Sequence, residues 1–493
     1  MSSIAARTLS FLLIIGFVCS PVWATCGGGG GGGGGGMSGS GGNGGGSKPV
    51  VYHVPWKASA DPKAKPVTEG LVLYWFPASK AELQSSSLRE SRNLSVYAGQ
   101  CVAMQLADVN TPKAADLIGD SKLPIAVLAE PDGTSIKKLE NVGGKLKVAD
   151  VEKLVGGEIN TRGTALDAKL ADGKAKATAG DNAAAIAAYK EVAAAKCMFP
   201  KKAKQATAAL KKLGEVNIGT IPDAPDLSPA VTAKIVQAMR SGLIAENAGK
   251  YLAAEKYYAA AHKIDPSDPT PLRYLAELNR HHIGDWEKAK VEFHQLLDMP
   301  NADPLSRAVA LHGLGKITIH EGEFKKGLGL MEQSVDAYPI ALAYRNLAVY
   351  WVSEYDREKG SYYIDKALAM DPQDPYNVIF AAVFMAGSGK KAEALAIAKQ
   401  HINLMPASYN LAAIFAQNGD KAKALELLKR HFYEFERFHA VREKEMMEAR
   451  VDAVFDSIRH DADFMELTKF ADGKLPMQMS PRQVAEPAMR MNF

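Results

Sequence analysis

The side chains best able to do chemistry in this 493-residue chain are four cysteines and a few histidines. Cys19, Cys26, Cys101 and Cys197 form no Cys-x-x-Cys pair, so neither a zinc ribbon nor a dithiol redox centre is written into the sequence. His281 and His282 are adjacent, which on a helix turns them about 100° apart, and no His-Glu-x-x-His motif accompanies them. There is no Gly-x-Ser-x-Gly nucleophile turn, no phosphate-binding glycine loop and no carboxylate pair that stands out. The expectation is a non-enzymatic protein that needs no metal and no cofactor.

Charge narrows the partners. A net +4 is small for this length, and no long basic stretch alternates with aromatics, so nucleic acid is a poor fit. Cys101 and Cys197 could close one disulfide in an oxidising compartment, whereas two buried free thiols are the commoner fate of lone cysteines. A thiol-dependent envelope factor, with Cys101 or Cys197 acting on a partner's cysteine, is the alternative function to carry forward.

Residues 1–24 read as a secretion signal. Arg7 precedes the apolar run from Leu9 to Val18, and Pro21 and a small-residue site ending at Ala24 follow. The apolar run is about half the roughly 20 residues that a permanent membrane helix needs. Residues 25–49 form a tether: Cys26, ten glycines from Gly27 to Gly36, then more glycine and serine to Ser47. A chain without side chains to bury stays a flexible coil, with a reach of roughly 25 Å at this length. A cysteine followed by such a tether resembles the start of a mature bacterial lipoprotein, which implies lipidation at Cys26 and attachment to a membrane. Trp23 and Thr25 depart from the leucine and small residue usual before a lipidated cysteine, so cleavage after Ala24 without lipid is the other reading. Either way the expected location is the periplasm or cell envelope.

Residues 50–159 alternate strand and helix. Gly70 to Pro77 is an apolar run of strand length, and Cys101 to Val109 is a second. Thr111-Pro112 opens a helix, Leu123 to Glu140 reads as a hairpin turning at Pro131-Asp132-Gly133, and Val148 to Gly157 closes with a helix. This order resembles the thioredoxin fold, with Pro124 at the position of that family's cis-proline. The segment Trp75 to Leu83 has no cysteine where the family carries Cys-x-x-Cys. Disulfide exchange needs an attacking thiolate and a resolving thiol, so the resemblance implies a binding module stripped of its chemistry.

Beyond residue 159 the chain is helical. Residues 160–216 are rich in alanine and lysine, with Gly173 set to face Ala185 and Tyr189 in a helical hairpin, and the proline-bearing stretch 217–229 reads as a linker. From 230 to 438 a small residue recurs at Ala254, Ala289, Gly327, Gly360, Ala394 and Ala424. Gly249, Gly284, Gly322, Gly389 and Gly419 mark turns between paired helices, and prolines 266, 339, 372 and 406 mark helix ends. Small, large and breaker residues recurring together at this period resemble the tetratricopeptide repeat. The expected fold is therefore an α/β thioredoxin-like domain followed by an all-α repeat superhelix. Residues 439–470 are expected to cap the last apolar face, and 471–493 to form a disordered tail.

The repeat resemblance implies a scaffold that binds a protein or peptide in a concave groove lined by the first helix of each pair. Counting from the small positions points to Tyr274, His281, His312, Lys316, Arg345 and Tyr409 as peptide-binding residues. Lys316 and Arg345, on neighbouring helices, are placed to grip a peptide carboxylate.

Overall fold

A computed structural model describes residues 51–59, 67–215, 221, 223–354, 356–436, 439–470 and 473. The expected leader, the tether with Cys26, nearly all of the tail, and residues 217–220 and 222 of the linker lie outside them. The described chain is an α/β domain with a five-stranded mixed sheet, followed by a long all-helical region.

The strands are β1 (Lys57–Ala58), β2 (Leu71–Phe76), β3 (Val102–Leu106), β4 (Ile125–Ala129) and β5 (Ser135–Glu140). Their spatial order is β1-β3-β2-β4-β5. β1 and β2 run parallel to β3, while β4 is antiparallel to both β2 and β5. β2 and β4 are covered on both faces, which is why they read as unbroken apolar runs. β5 is an edge strand, and its exposed Lys137 and Lys138 discourage further pairing. Helices α1 (Lys80–Ser85) and α2 (Arg92–Gly99) connect β2 to β3, and α3 (Ala114–Ile118) precedes β4. The Leu123-Pro124 peptide bond is cis.

The expected boundary at 159/160 falls inside a helix. α4 runs unbroken from Val148 to Thr178, across Gly156 and Gly157. Gly156 is small for a reason: a Cβ there would lie 2.8 Å from the Tyr97 hydroxyl, so the helix closes onto the sheet domain at that point. With α5 (Asn182–Ala194) and α6 (Pro200–Lys212) it builds a three-helix unit. Gly173 packs against Tyr189 as expected, a Cβ there reaching 3.0 Å from the ring.

The long region then proceeds in antiparallel pairs: α7 (Pro229–Asn247) with α8 (Tyr251–Ile264), α9 (Pro269–Leu278) with α10 (Trp286–Asp298), and α11 (Pro304–His320) with α12 (Phe324–Ala337). After these come α13 (Ala341–Ser353) with α14 (Arg357–Met370), α15 (Pro375–Gly387) with α16 (Lys391–Gln400), and α17 (Ser408–Gln417) with α18 (Lys421–Arg430). Aspartates 268, 303 and 374 cap α9, α11 and α15, each followed by proline, whose fixed φ suits the first helical position and whose missing N–H costs nothing there. The five turn glycines all take positive φ, between 67° and 93°. Small meets large inside the pairs and between them: a Cβ on Gly242 would lie 2.3 Å from the Tyr258 ring across α7 and α8, and one on Gly313 2.3 Å from Phe293 across α10 and α11. Such close crossings exist only where one helix gives up its side chain. No described helix is long and apolar enough to cross a membrane.

The two halves are fastened together. Arg92, on α2, is buried and reaches Asp265 at 2.6 Å and Asp268 at 3.0 Å in the α8–α9 turn. It also donates to the Asp226 carbonyl and the Thr232 hydroxyl. Tyr52 donates to Asp268 at 2.6 Å, and Val51 and Tyr52 share a core with Ile235, Met239 and Tyr258. The expected linker is drawn into this joint: Leu227 packs against the sheet domain's core, and the Asp226 amide donates to Asp265.

Candidate peptide groove and the helix within it

The last element departs most from expectation. A π-helical turn at 431–435 ends the α18 direction, and α19 (His439–Val451) turns back across the first helices. α20 (Ala462–Leu467) packs beside α18, with Phe464 and Phe455 in the terminal core, so only this later part behaves as the expected cap. The sequence of α19 explains its path. Val441, Glu445, Glu448 and, just past its end, Asp452 follow one another at intervals of four, three and four, which puts them on one face. All four are buried.

That face meets groups supplied by the array. At the amino-terminal end the Lys444 ammonium donates to the Gly284 carbonyl at 3.1 Å and sits 3.5 Å from the centroid of the Trp286 ring. A Cβ on Gly284 would come within 3.0 Å of Ala440, so the helix passes directly over that turn. In the middle, Glu448 accepts from Lys316 at 3.3 Å and from the Tyr350 hydroxyl at 3.3 Å, and lies 3.4 Å from His320 Nε2. Just past the carboxyl-terminal end the Tyr409 hydroxyl donates to Asp452 at 3.2 Å, and at the midpoint of the helix His431 lies 3.6 Å from Glu445.

Burial sets the protonation here. Desolvation alone would push the Glu448 carboxyl up, but Lys316 and His320 hold it down at about 2, so it is a carboxylate. Desolvation holds His320 below its ordinary value against the pull of Glu448. Asp452 is pushed up to about 7, first by desolvation and further by Glu448, against the backbone hydrogen bond from Val454. Glu448 and Asp452, one helical turn apart, are thus shifted in opposite directions.

All six residues assigned to the groove from sequence are buried, between 1% and 6% exposed, where an open groove would have left them wet. Lys316 and Tyr409 do meet carboxylates, but those of Glu448 and Asp452 in the same chain. Arg345 does not join Lys316 in a clamp: it donates to Asn377 at 2.6 Å and lies over the Phe380 ring. His312 Nε2 is 2.9 Å from the Asn346 amide nitrogen, and desolvation holds this histidine well below its ordinary value. The His281 ring lies 4.4 Å from that of His282, tilted by 54°, and this histidine is likewise depressed by burial. Tyr274 packs on Tyr258, and burial pushes its hydroxyl up to about 12. Glu448, Tyr350, His320 and Asp452 went unassigned from sequence; the one signal for them was the acidic stripe of α19.

No described cluster of three or more histidine, cysteine or carboxylate side chains could hold a metal ion. The cysteine expectation needs correcting too. Cys101 and Cys197 are bonded to each other, with Cα atoms 5.8 Å apart, because the α5–α6 turn folds back onto the start of β3. Neither is the free thiol that a thiol-dependent factor would use.

No protein family and no curated protein sequence matches the chain. Among solved structures it is similar to YrrB, described as a TPR protein with an unusual peptide-binding site. That likeness has 19% identity and a TM-score of 0.25, over 38% of this chain and 95% of that one.

Proposed function

We propose that this chain is an exported, non-enzymatic scaffold of the cell envelope, whose tetratricopeptide-like array binds a protein or peptide across its first-helix face. The observation that carries this reading is α19 itself. Five separate parts of the array, at Gly284, Lys316, Tyr350, Tyr409 and His431, converge on one helix. A face that accepts a helix along its length is a binding surface in geometry. The strand order, the cis-proline before β4 and the lack of cysteine in Trp75 to Leu83 support a thioredoxin-like module used for docking rather than disulfide exchange. Export is supported by the signal-like leader and by the disulfide, which persists in oxidising compartments.

In-cell crosslinking of the full chain followed by mass spectrometry tests the scaffold reading. A discrete protein crosslinked to the array is the expected result, and a diffuse background with no recurrent partner would contradict it. Intact mass tests export: a mature chain starting at Thr25, or at Cys26 with added lipid, is expected, and a retained leader would oppose it.

A further inference from the structure

We infer that the first-helix face selects an acidic amphipathic helix, and that α19 is a resident occupant exchanged for a partner helix bearing carboxylates at the Glu445, Glu448 and Asp452 spacing. This rests on the scaffold reading and adds what the surface recognises.

The contact between α19 and the array is built for recognition more than for stability. A segment serving only as core would present apolar side chains, because burying an ion pair is often no better than burying matched hydrocarbon. Here Glu445, Glu448 and Asp452 are buried beside Val441, Met446 and Ala449, so acids share the covered side of the helix with its apolar contacts. Their partners, Lys316, His320, Tyr350, His431 and Tyr409, lie on α11, α13, α17 and the turn after α18. Carboxylate position along the helix is thus read at three points.

The fit is also incomplete, which makes the occupant replaceable. Glu445 Oε2, both ring nitrogens of His431 and His320 Nδ1 are buried without a hydrogen-bond partner among the described residues. The 3.6 Å separation of His431 and Glu445 is too long for a hydrogen bond. Each such buried group gives up hydrogen bonds that it would make in water. A partner that satisfied them would bind the face better, per contact, than α19 does. What favours α19 is its tether, since a covalently joined segment competes at an effective concentration on the order of millimolar. A partner helix has to overcome that advantage, so the face is closed until one does.

Two measurements on the full chain test this. Hydrogen exchange on the wild-type protein should show the amides of 441–451 exchanging at least tenfold faster than those of α11 and α13. A labelled peptide with the sequence of residues 439–452 should bind the Glu445→Lys/Glu448→Lys chain at least tenfold more tightly than the wild-type chain. The same peptide with glutamine in place of Glu445 and Glu448 should lose that binding. If α19 exchanges in step with α11 and α13, or if the loosened chain takes up no peptide, the exchange idea is overturned; the wild-type exchange data decide should the variant fail to fold. A cellular partner crosslinked outside the groove, with α19 exchanging in step, would sink this inference and leave the scaffold reading standing. Peptide uptake as predicted, with no cellular partner, would uphold the selectivity of the face for an acidic helix and overturn both the scaffold reading and the exchange that rests on it.

Discussion

Glu448 and Lys316 lie 132 residues apart in the chain, yet their carboxylate and ammonium are 3.3 Å apart with each side chain about 3% exposed. Removing one partner strands a charge in a dry site. Lys316→Met or Glu448→Leu alone should therefore cost about 3–5 kcal/mol of folding stability. The double variant should recover much of that, because no unpaired ion remains. Urea titration of the four chains gives the coupling energy, and additive losses would show that the two groups do not meet.

Arg92 is the bolt between the sheet domain and the array. Its guanidinium serves Asp265, Asp268, the Asp226 carbonyl and Thr232 at once. Arg92→Ala should separate calorimetric unfolding into two transitions and cost about 3–5 kcal/mol at the joint. Arg92→Lys should rescue little, since one ammonium cannot present the planar fork that meets these groups together. A single cooperative transition in Arg92→Ala would mean that the apolar contacts of Val51 and Tyr52 suffice.

The bond between Cys101 and Cys197 spans 96 residues of sequence. Its loss, by reduction or by a Cys101→Ala/Cys197→Ala change, should lower stability by about 2–5 kcal/mol. Alkylation in denaturant, followed by intact mass, should add no label at these two positions before reduction and two labels after it.

Asp452 makes stability depend on pH. Its folded pKa of about 7 lies above the ordinary carboxyl value, so the folded chain holds a proton that the unfolded chain releases. Linkage then makes this group's contribution greatest in acid, with stability falling as pH rises from about 4 to 7. Glu448 has the opposite sign: its pKa is depressed to about 2, so its contribution is present above the ordinary value and fades only as pH drops towards 2. Asp452→Asn should therefore melt at or above the wild-type temperature at pH 8, and the difference should shrink by pH 5. Thermal melts at the two pH values check this; an Asp452→Asn penalty that grows with pH would reverse the sign.

Local patterns in the sequence carried much of this architecture, because a repeat's small residues, caps and turns act within one helix pair. Gly242 against Tyr258, the Asp-Pro starts of α9, α11 and α15, and the positive-φ turn glycines are all of that kind. The alternation of strands, and the bareness of Trp75 to Leu83, were equally visible. What periodicity could not reveal was contact between distant segments. Their place on first helices points to Lys316 and Arg345 as a carboxylate grip and to Tyr409 as a further peptide contact; Lys316 and Tyr409 meet carboxylates, whereas Arg345 donates to Asn377. The donors of those carboxylates, Glu448 and Asp452, lay in a segment read as an end cap. Nothing local separates a helix that covers the end of an array from one that lies along it. The boundary at 159/160 failed for a related reason: Gly156-Gly157 looks like a break, but Gly156 thins the helix where it meets Tyr97.

A photocrosslink from inside the groove tests the central claim most directly. With p-azidophenylalanine in place of Tyr350, the azide stands where the hydroxyl lies 3.3 Å from Glu448. Illumination of the purified full chain should join position 350 to the peptide containing residues 445–450 of the same molecule. A chain that crosslinks elsewhere, or only to a second molecule, would contradict the placement of α19 in the groove.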